Sequence, residues 1–208
     1  MICSVNFPSD TIEKAVEQLS RFPGIGKKTA LRMTLFLLKE QKENVDRMSQ
    51  AMIDLKTKVR YCSTCGNVSD ADICSICSSV NRNKKLICVV KDFQDIISIE
   101  NTGQFSGVYH VLGGVIAPMD GIGPDDLTID QLLLRVREQG VEELVFALSA
   151  NMEGDTTAFY ISRKLEDSSV KMSAISRGIA VGGELEYADE ITLGRSILNR
   201  VPYSLNTQ

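Results

Sequence analysis

Apolar residues recur at helical spacing through the first 60 residues of the chain. Ile12, Val16 and Leu19 lie four and three positions apart, which predicts a helix with one apolar face, capped by Ser9 or Asp10. A Pro-Gly-Ile-Gly segment then interrupts the pattern, and two more amphipathic helices are expected after it. The positions predicted to be buried in these two helices are Ala30, Leu31, Leu35 and Leu38 in the first, and Val45, Met48, Met52, Ile53 and Leu55 in the second.

From residue 84 onward, short apolar runs alternate with segments of helical periodicity. The predicted strands are 86–90, 108–112, 144–149 and 170–175, and the predicted helices between them are 92–100, 128–138 and 156–167. Such alternation is typical of an α/β layer with a mainly parallel sheet. A last helix is expected near residues 188–200, after a Gly-Gly break.

The pattern predicts an α/β chain, or more fully a multi-part α+β chain, in four parts. They are a helical region at 1–60, a short Cys-rich module at 61–83, an α/β domain at 84–176 and a C-terminal helical segment at 177–208. With 208 residues, 43% of them hydrophobic and 24% charged, the composition excludes a collagen, a coiled-coil rod and a disordered chain. The N-terminus lacks the basic and apolar regions of a secretory signal, so we expect a cytoplasmic protein without a membrane partner.

Charge changes the picture only when it is followed along the chain. The net charge of −4, taken alone, argues against a protein that binds a polyanion. Residues 1–60, however, carry 11 basic and 7 acidic side chains, whereas residues 91–208 carry 9 basic and 18 acidic ones. Residues 21–39 contain five basic side chains and no acidic one. The distribution therefore favours nucleic-acid binding by the first region.

Four cysteines have the spacing of a zinc site, C-x2-C-x8-C-x2-C. They are Cys62, Cys65, Cys74 and Cys77. Each C-x2-C pair directs two thiolates at one ion, and four cysteines leave no open position, so one structural Zn²⁺ per chain is predicted. A redox dithiol is the alternative, but it would show a single C-x-x-C beside a βαβ unit. A module this small cannot build its own apolar core, so the metal would supply its folding free energy.

The interruption after the first helix is a candidate DNA-binding element. Gly24 and Gly26 allow a tight turn in which a phosphate can approach the backbone, and the next helix begins with free N–H groups and Lys27. Lys28 and Arg32 lie four residues apart and share one helix face. This pattern favours a helix-hairpin-helix that grips the DNA backbone with little dependence on sequence. An ordinary glycine-rich turn beside a solvated basic face is the alternative.

A third group of polar residues follows the predicted strands. Lys91 and Asp92 come after the first strand, and Glu153 and Asp155 come after a later one. Carboxylates at the ends of parallel strands can converge on Mg²⁺, as phosphoryl transfer requires. Solvated loop acids, with Asp155 capping a helix, fit the sequence equally well, so both interpretations stay open here.

The order of these motifs closely resembles the bacterial RecR recombination mediator family. The hairpin, the four cysteines and an α/β segment with Glu-Gly-Asp-Thr-Thr-Ala at residues 153–158 occur in the family's order, and the resemblance extends through Gly-Gly-Glu-Leu-Glu-Tyr-Ala-Asp-Glu at 182–190. The α/β part resembles a Toprim domain. The resemblance implies a protein without catalytic activity, forming a dimer or tetrameric ring. It also implies binding to double- and single-stranded DNA and action with RecO- and RecF-type proteins to help load RecA at gaps.

Carried onto this chain, the resemblance implies DNA contacts for Lys28 and Arg32 and zinc ligation for the four cysteines. It also places Glu153, with Asp155 in the same turn, at a surface that contacts RecO. One departure concerns catalysis: Toprim enzymes have a glutamate just after the first strand, where this chain has Lys91. An ammonium group cannot bind Mg²⁺ or act as the acid–base carboxylate. The alternative function, a Mg²⁺-dependent Toprim nuclease or primase-like enzyme, would have to act without that group.

Overall fold

The computed structural model describes residues 9–179 and 181–202. The N-terminal residues, which lack the pattern of a secretory signal, lie outside these ranges. The end of the predicted C-terminal segment also lies outside them. By its internal packing the chain divides into two compact units, and the second unit begins at Arg60.

The first unit consists of three helices. They are α1 (Asp10–Leu19), α2 (Lys27–Lys39) and α3 (Lys42–Thr57). Ser9, one of the two predicted caps, occupies the N-cap position of α1, but its side chain makes no capping hydrogen bond, and Asp10 is already helical.

Of the positions predicted to be buried in α2 and α3, only Ala30 is buried. Ala30 and Thr34 are the buried residues of α2, while Leu35 and Leu38 are 43% and 67% exposed. Helix α3 contains no buried residue. Three short helices enclose too little volume to cover every apolar side chain, so the unit presents apolar surface to solvent.

The second unit contains the remaining helices and all the strands of the described residues. The strands are β1 (Arg60–Tyr61), β2 (Val68–Ser69), β3 (Asn83–Val90), β4 (Gly107–Val111), β5 (Glu143–Ala147) and β6 (Lys171–Ala174). The helices are α4 (Ser75–Ser78), α5 (Phe93–Glu100), α6 (Ile129–Glu138), α7 (Met152–Lys164) and α8 (Glu190–Leu198). Short 3-10 turns occur at Pro118–Asp120, Pro124–Asp126 and Leu185–Tyr187.

Strands β3 to β6 form one sheet in the order β4-β3-β5-β6, and all three pairings are parallel. The predicted α/β layer with a parallel sheet is therefore confirmed. The larger apolar core includes Ile87, Val89 and Leu144 from the strands, with Leu132 of α6 and Ile161 of α7. Because the strands are parallel, the segments after β3, β5 and β6 lie together at the carboxyl-terminal end of the sheet.

Strand β4 is an edge strand of the sheet, so one of its sides has no neighbouring strand. The Leu112 N–H, just after the strand, donates to the Val90 carbonyl of β3. Backbone groups alternate in direction along a strand, so the carbonyl of Tyr109 and the N–H of Val111 point to the unpaired side. Both are satisfied there by groups from outside the sheet, Arg135 and Cys65. No helix in the part of the chain described here is long and apolar enough to cross a membrane.

Candidate functional site

The four cysteine sulfurs of the second unit lie in one buried cluster. The Sγ atoms of Cys62, Cys65, Cys74 and Cys77 all fall within 4.8 Å of one another. The Cys65 and Cys74 sulfurs are 3.6 Å apart. Four thiolates at the usual Zn–S distance of about 2.3 Å form a tetrahedron with edges of about 3.8 Å. The cluster therefore has the size and the donor set that Zn²⁺ requires.

Backbone N–H groups and shared protons polarise the sulfur cluster. The N–H of Cys74 lies 3.2 Å from the Cys62 sulfur, and the N–H of Cys77 lies 3.5 Å from that of Cys74. The pKa of Cys77 is lowered to about 6, first by a hydrogen bond from Cys65 and then, against the cost of burial, by the positive charge of Arg135. The same hydrogen bond raises the pKa of Cys65. This hydrogen bond therefore favours the thiolate form of Cys77 and the thiol form of Cys65.

The first cysteine pair is fixed to the edge of the large sheet. The Val111 N–H of β4 donates to the Cys65 carbonyl at 2.8 Å. Gly66 follows with a φ of 73°, and a Cβ atom there would lie 3.2 Å from the Val111 carbonyl oxygen. Positive φ and this close approach both favour glycine. The zinc module thus covers part of the unpaired side of β4.

The predicted hairpin of the first unit forms between α1 and α2. Gly24 has a φ of 77°, and the Ile25 N–H donates to the Phe22 carbonyl at 3.0 Å. Gly26 has an extended conformation and is the N-cap of α2, where it leaves N–H groups without a side-chain partner. Only Gly24 needs the left-handed region, so the two glycines have different roles in the turn.

The basic residues predicted to bind DNA lie at the surface of α2. Lys27, Lys28 and Arg32 are all exposed, and the first turn of the helix contains no acidic residue. Lys28 and Arg32 are one helical turn apart. Among the ion pairs of the described residues, none involves these three side chains. Their charges are therefore available to a phosphate backbone that approaches the N-terminal end of α2.

An apolar groove of about 740 Å³ lies within the first unit. Phe22 and Ile25 of the hairpin line it, together with Phe36 of α2 and Met52 of α3. Arg32 also lies at this groove. The groove belongs to the exposed apolar surface that three helices leave uncovered.

The carboxylates that follow β3 are used to begin helix α5. Lys91 is exposed and its N–H donates to the Asp95 carboxylate. Asp92 is the N-cap of α5, where its Oδ1 accepts from the Gln94 N–H at 2.8 Å. Asp92 is thus engaged in holding the start of a helix.

After β5, helix α7 begins with the two acidic residues singled out in the sequence. The N-cap is Asn151, whose side chain accepts from the Gly154 N–H, so the interpretation of Asp155 as a helix cap is wrong. Asp155 instead forms a two-pronged ion pair with Arg177, with a closest distance of 2.5 Å. This hydrogen bond is the main reason why the pKa of Asp155 is lowered. Glu153 is half-buried in the first turn of α7.

Family models match four successive parts of the chain. The model described as RecR, helix-hairpin-helix matches residues 12–56, and that of the RecR four-cysteine zinc finger domain matches 59–79. A Toprim domain model matches 85–176, and the RecR C-terminal model matches 178–201.

Curated relatives are similar in sequence to this chain along nearly its whole length. The Recombination protein RecR of Flavobacterium psychrophilum is 52% identical over 199 residues, which is 96% of this chain and 97% of the relative. That of Bacteroides thetaiotaomicron is 53% identical over 198 residues, 95% of this chain and 97% of the relative. The chain belongs to the RecR family. The predicted family is confirmed.

RecR membership and the sulfur geometry together assign the metal. Cys62, Cys65, Cys74 and Cys77 match the four-cysteine zinc finger model and form the one group of three or more possible metal ligands within residues 9–179 and 181–202. The zinc prediction is confirmed. Because all four ligands are buried cysteines, a bound zinc ion would stabilise the fold of its module and would have no open position for a substrate.

Two arginines of this RecR chain were missed by the sequence reasoning. Arg177 follows β6 and neutralises Asp155, and Arg135 is buried on α6. No pattern in the sequence separates Arg135 from the exposed Arg137 on the same helix, and the Arg177–Asp155 contact joins residues 22 positions apart. Both depend on tertiary packing.

Proposed function

We propose that this chain is a DNA-binding recombination mediator without catalytic activity. It binds double- and single-stranded DNA largely independently of sequence and acts with RecO- and RecF-type proteins to promote RecA loading at single-strand gaps. The relatives' name, Recombination protein RecR, supports the role in recombination and DNA repair. The observation that carries the DNA-binding part is the unpaired basic surface of α2 beside the hairpin.

The first turn of α2 offers two ways to hold a phosphate. Free N–H groups at a helix N-terminus attract anions, and Lys28 and Arg32 add two positive charges on one face of the same helix. Phosphate contacts of this kind position a protein on DNA but do not read base edges. Gly24, Gly26 and Lys27 complete the proposed contact surface. Sequence-independent binding follows from this chemistry.

The strand-end region of the second unit supports the absence of catalysis. Lys91 is a cation where the Toprim enzymes have a glutamate, and Asp92 caps α5. Asp155 is paired with Arg177, so the guanidinium occupies the carboxylate that a Mg²⁺ ion would need. Of the carboxylates of Asp92, Glu153 and Asp155, that of Glu153 would therefore be the one left to bind metal in a nuclease.

The acidic balance of the second unit favours protein partners over DNA. Residues 91–208 carry twice as many acidic as basic side chains. Glu153 and Asp155 lie together on the first turn of α7, and we propose that this surface contacts a RecO-type protein. The overall negative charge of residues 91–208, to which Glu153 contributes, disfavours DNA and favours a partner with a basic patch.

The test is DNA binding by the Lys28→Ala/Arg32→Ala double variant over a salt series. Loss of two phosphate contacts is expected to weaken duplex binding by roughly ten- to a hundredfold near physiological salt. The log–log slope of affinity against salt should flatten by about 1.8. Fluorescence anisotropy with two unrelated duplexes and one single strand measures both quantities.

The control is Lys42→Ala/Lys56→Ala, which removes the same charge from exposed positions of α3. It should leave the slope within about half a unit of wild type. Equal losses in the two double variants would assign binding to net charge and contradict the α2 surface. DNA recovered after incubation with Mg²⁺ should be intact, and nicking that Glu153→Gln abolishes would establish the nuclease alternative.

We also propose that the chain forms a homo-oligomer, a dimer or a tetrameric ring, through the apolar surface of the first unit. Phe36 is 62% exposed and Leu38 67% exposed, and single-chain proteins rarely leave such a surface uncovered. A glutamate at position 36 would introduce a charge into a buried interface, so Phe36→Glu should lower the mass seen by sedimentation. Lys39→Glu, an exposed change on the same helix, is the control. Unchanged mass in Phe36→Glu would exclude this surface.

A further inference from the structure

Arg135 is a buried cation that lacks a carboxylate partner among the described residues. It is 6% exposed, and none of the ion pairs in residues 9–179 and 181–202 includes it. Its Nη1 donates to the Tyr109 carbonyl at 2.7 Å and its Nε to the Gln139 side chain at 3.1 Å. Both acceptors are neutral. An ionised side chain buried without a counter-charge is strongly unfavourable, so one should lie nearby.

The geometry of β4 places Arg135 beside the zinc module. The Tyr109 carbonyl, which accepts from Arg135, and the Val111 N–H, which donates to Cys65, point to the same unpaired side of the strand. Residues two apart in a strand are separated by about 6.6 Å. The guanidinium and the first zinc-binding cysteine pair are therefore neighbours on this edge.

The zinc-loaded metal centre has the negative charge that a partner of Arg135 requires. One Zn²⁺ bound by four thiolates carries a net charge of −2, and this charge lies in the buried interior beside α4 and β4. We propose that the zinc–tetrathiolate centre is the counter-ion of Arg135, and that Arg135 is a positioning residue that strengthens zinc binding from outside the ligand set. It also ties the metal centre to α6 of the Toprim core.

This pairing has a consequence that a purely structural role would not have. If Arg135 stabilises the charged centre, removing its charge weakens zinc binding, and by linkage the zinc-loaded protein loses more unfolding free energy than the zinc-stripped protein. If Arg135 only satisfies the edge of β4, both forms lose the same amount and zinc affinity is unchanged. The two roles are thus distinguishable.

The experiment measures zinc affinity by competition with a chromophoric chelator under reducing conditions. Arg135→Met removes the charge at similar length and should lower zinc affinity by about ten- to a hundredfold, the usual effect of losing a partner outside the ligand set. Arg135→Lys keeps the charge and should stay within about fivefold of wild type. Arg137→Met, an exposed change on the same helix, is the matched control and should leave affinity unchanged.

Urea unfolding with and without zinc provides the second measurement. The proposal expects Arg135→Met to differ from wild type more in the zinc-loaded form than in the stripped form. Equal differences in both forms, with unchanged zinc affinity, would overturn it. Should Arg135→Met fail to fold, Arg135→Gln against Arg135→Lys makes the same comparison of charge: equal zinc affinity in these two would overturn the proposal, and weaker binding in the Gln variant would support it.

Discussion

Cys65→Ser is expected to abolish stoichiometric zinc binding and to unfold the zinc module. A serine hydroxyl is a poor zinc ligand, and the loss of one of four ligands opens a site whose geometry depends on all of them. Structural zinc supplies roughly 10 to 16 kcal/mol in small modules at pH 7. That is as large as the whole net stability of a domain, about 5 to 15 kcal/mol. The effect should therefore extend beyond the module to the edge of the sheet.

Zinc per chain, from elemental analysis, and the urea midpoint of the second unit are the two measurements. Cys88→Ala is the control, because Cys88 is buried in the sheet core and lies outside the sulfur cluster. That variant should keep one zinc per chain and lose only the packing of one sulfur atom. A Cys65→Ser protein with one zinc and wild-type stability would contradict the assignment of the metal centre.

The free energy of unfolding is expected to fall by as much as ~3 kcal/mol when the pH drops from about 6.5 to about 4, through His110 alone. His110 is 1% exposed on β4, and its Nε2 donates to the Thr128 carbonyl at 3.1 Å. Its Nδ1 is buried and makes no hydrogen bond. Burial is the main reason why the pKa of His110 is lowered to about 4, and the charge of Arg135 acts in the same direction.

The direction of this pH dependence follows from the number of protons that the folded and unfolded states bind. Between the folded pKa of about 4 and the unfolded value of about 6.5, the unfolded chain binds more protons, so stability rises with pH across this window. His110→Gln keeps a donor for Thr128 but cannot titrate, and its stability should depend less on pH. Urea unfolding of both proteins from pH 4 to 7 gives the difference, from which the pH dependence of the zinc site cancels. Parallel curves for the two proteins would contradict a neutral, buried His110.

The local features of this chain were largely predictable from its sequence. Helical spacing predicted α1 to α3, and β-branched runs predicted the strands β3 to β6, whose ends differ by a few residues from the predicted ones. The cysteine spacing predicted the metal centre because the ligand chemistry is encoded in sequence separation. The turn at Gly24 was predictable for the same kind of local reason, since a positive φ there favours glycine.

Burial and pairing across the fold were not predictable in the same way. The apolar positions of α2, such as Leu35 and Leu38, have helical spacing whether they face a core or an uncovered surface. Asp155 has the sequence of a helix cap, yet Arg177, 22 residues later, takes its carboxylate. The burial of Arg135 depends on how α6 packs beside β4. These outcomes are set by tertiary contacts that hydrophobic spacing does not describe.

The attachment of the zinc module to β4 has a consequence for the fate of the protein in a metal-poor cell. Strand β4, Gly107–Val111, consists of buried residues, and the contact from Cys65 covers part of its unpaired side. A strand of that composition with a free side can pair with the same strand of another molecule. We therefore expect chains made without zinc to be prone to aggregation. Zinc binding would then keep the newly made chain soluble in addition to stabilising its fold.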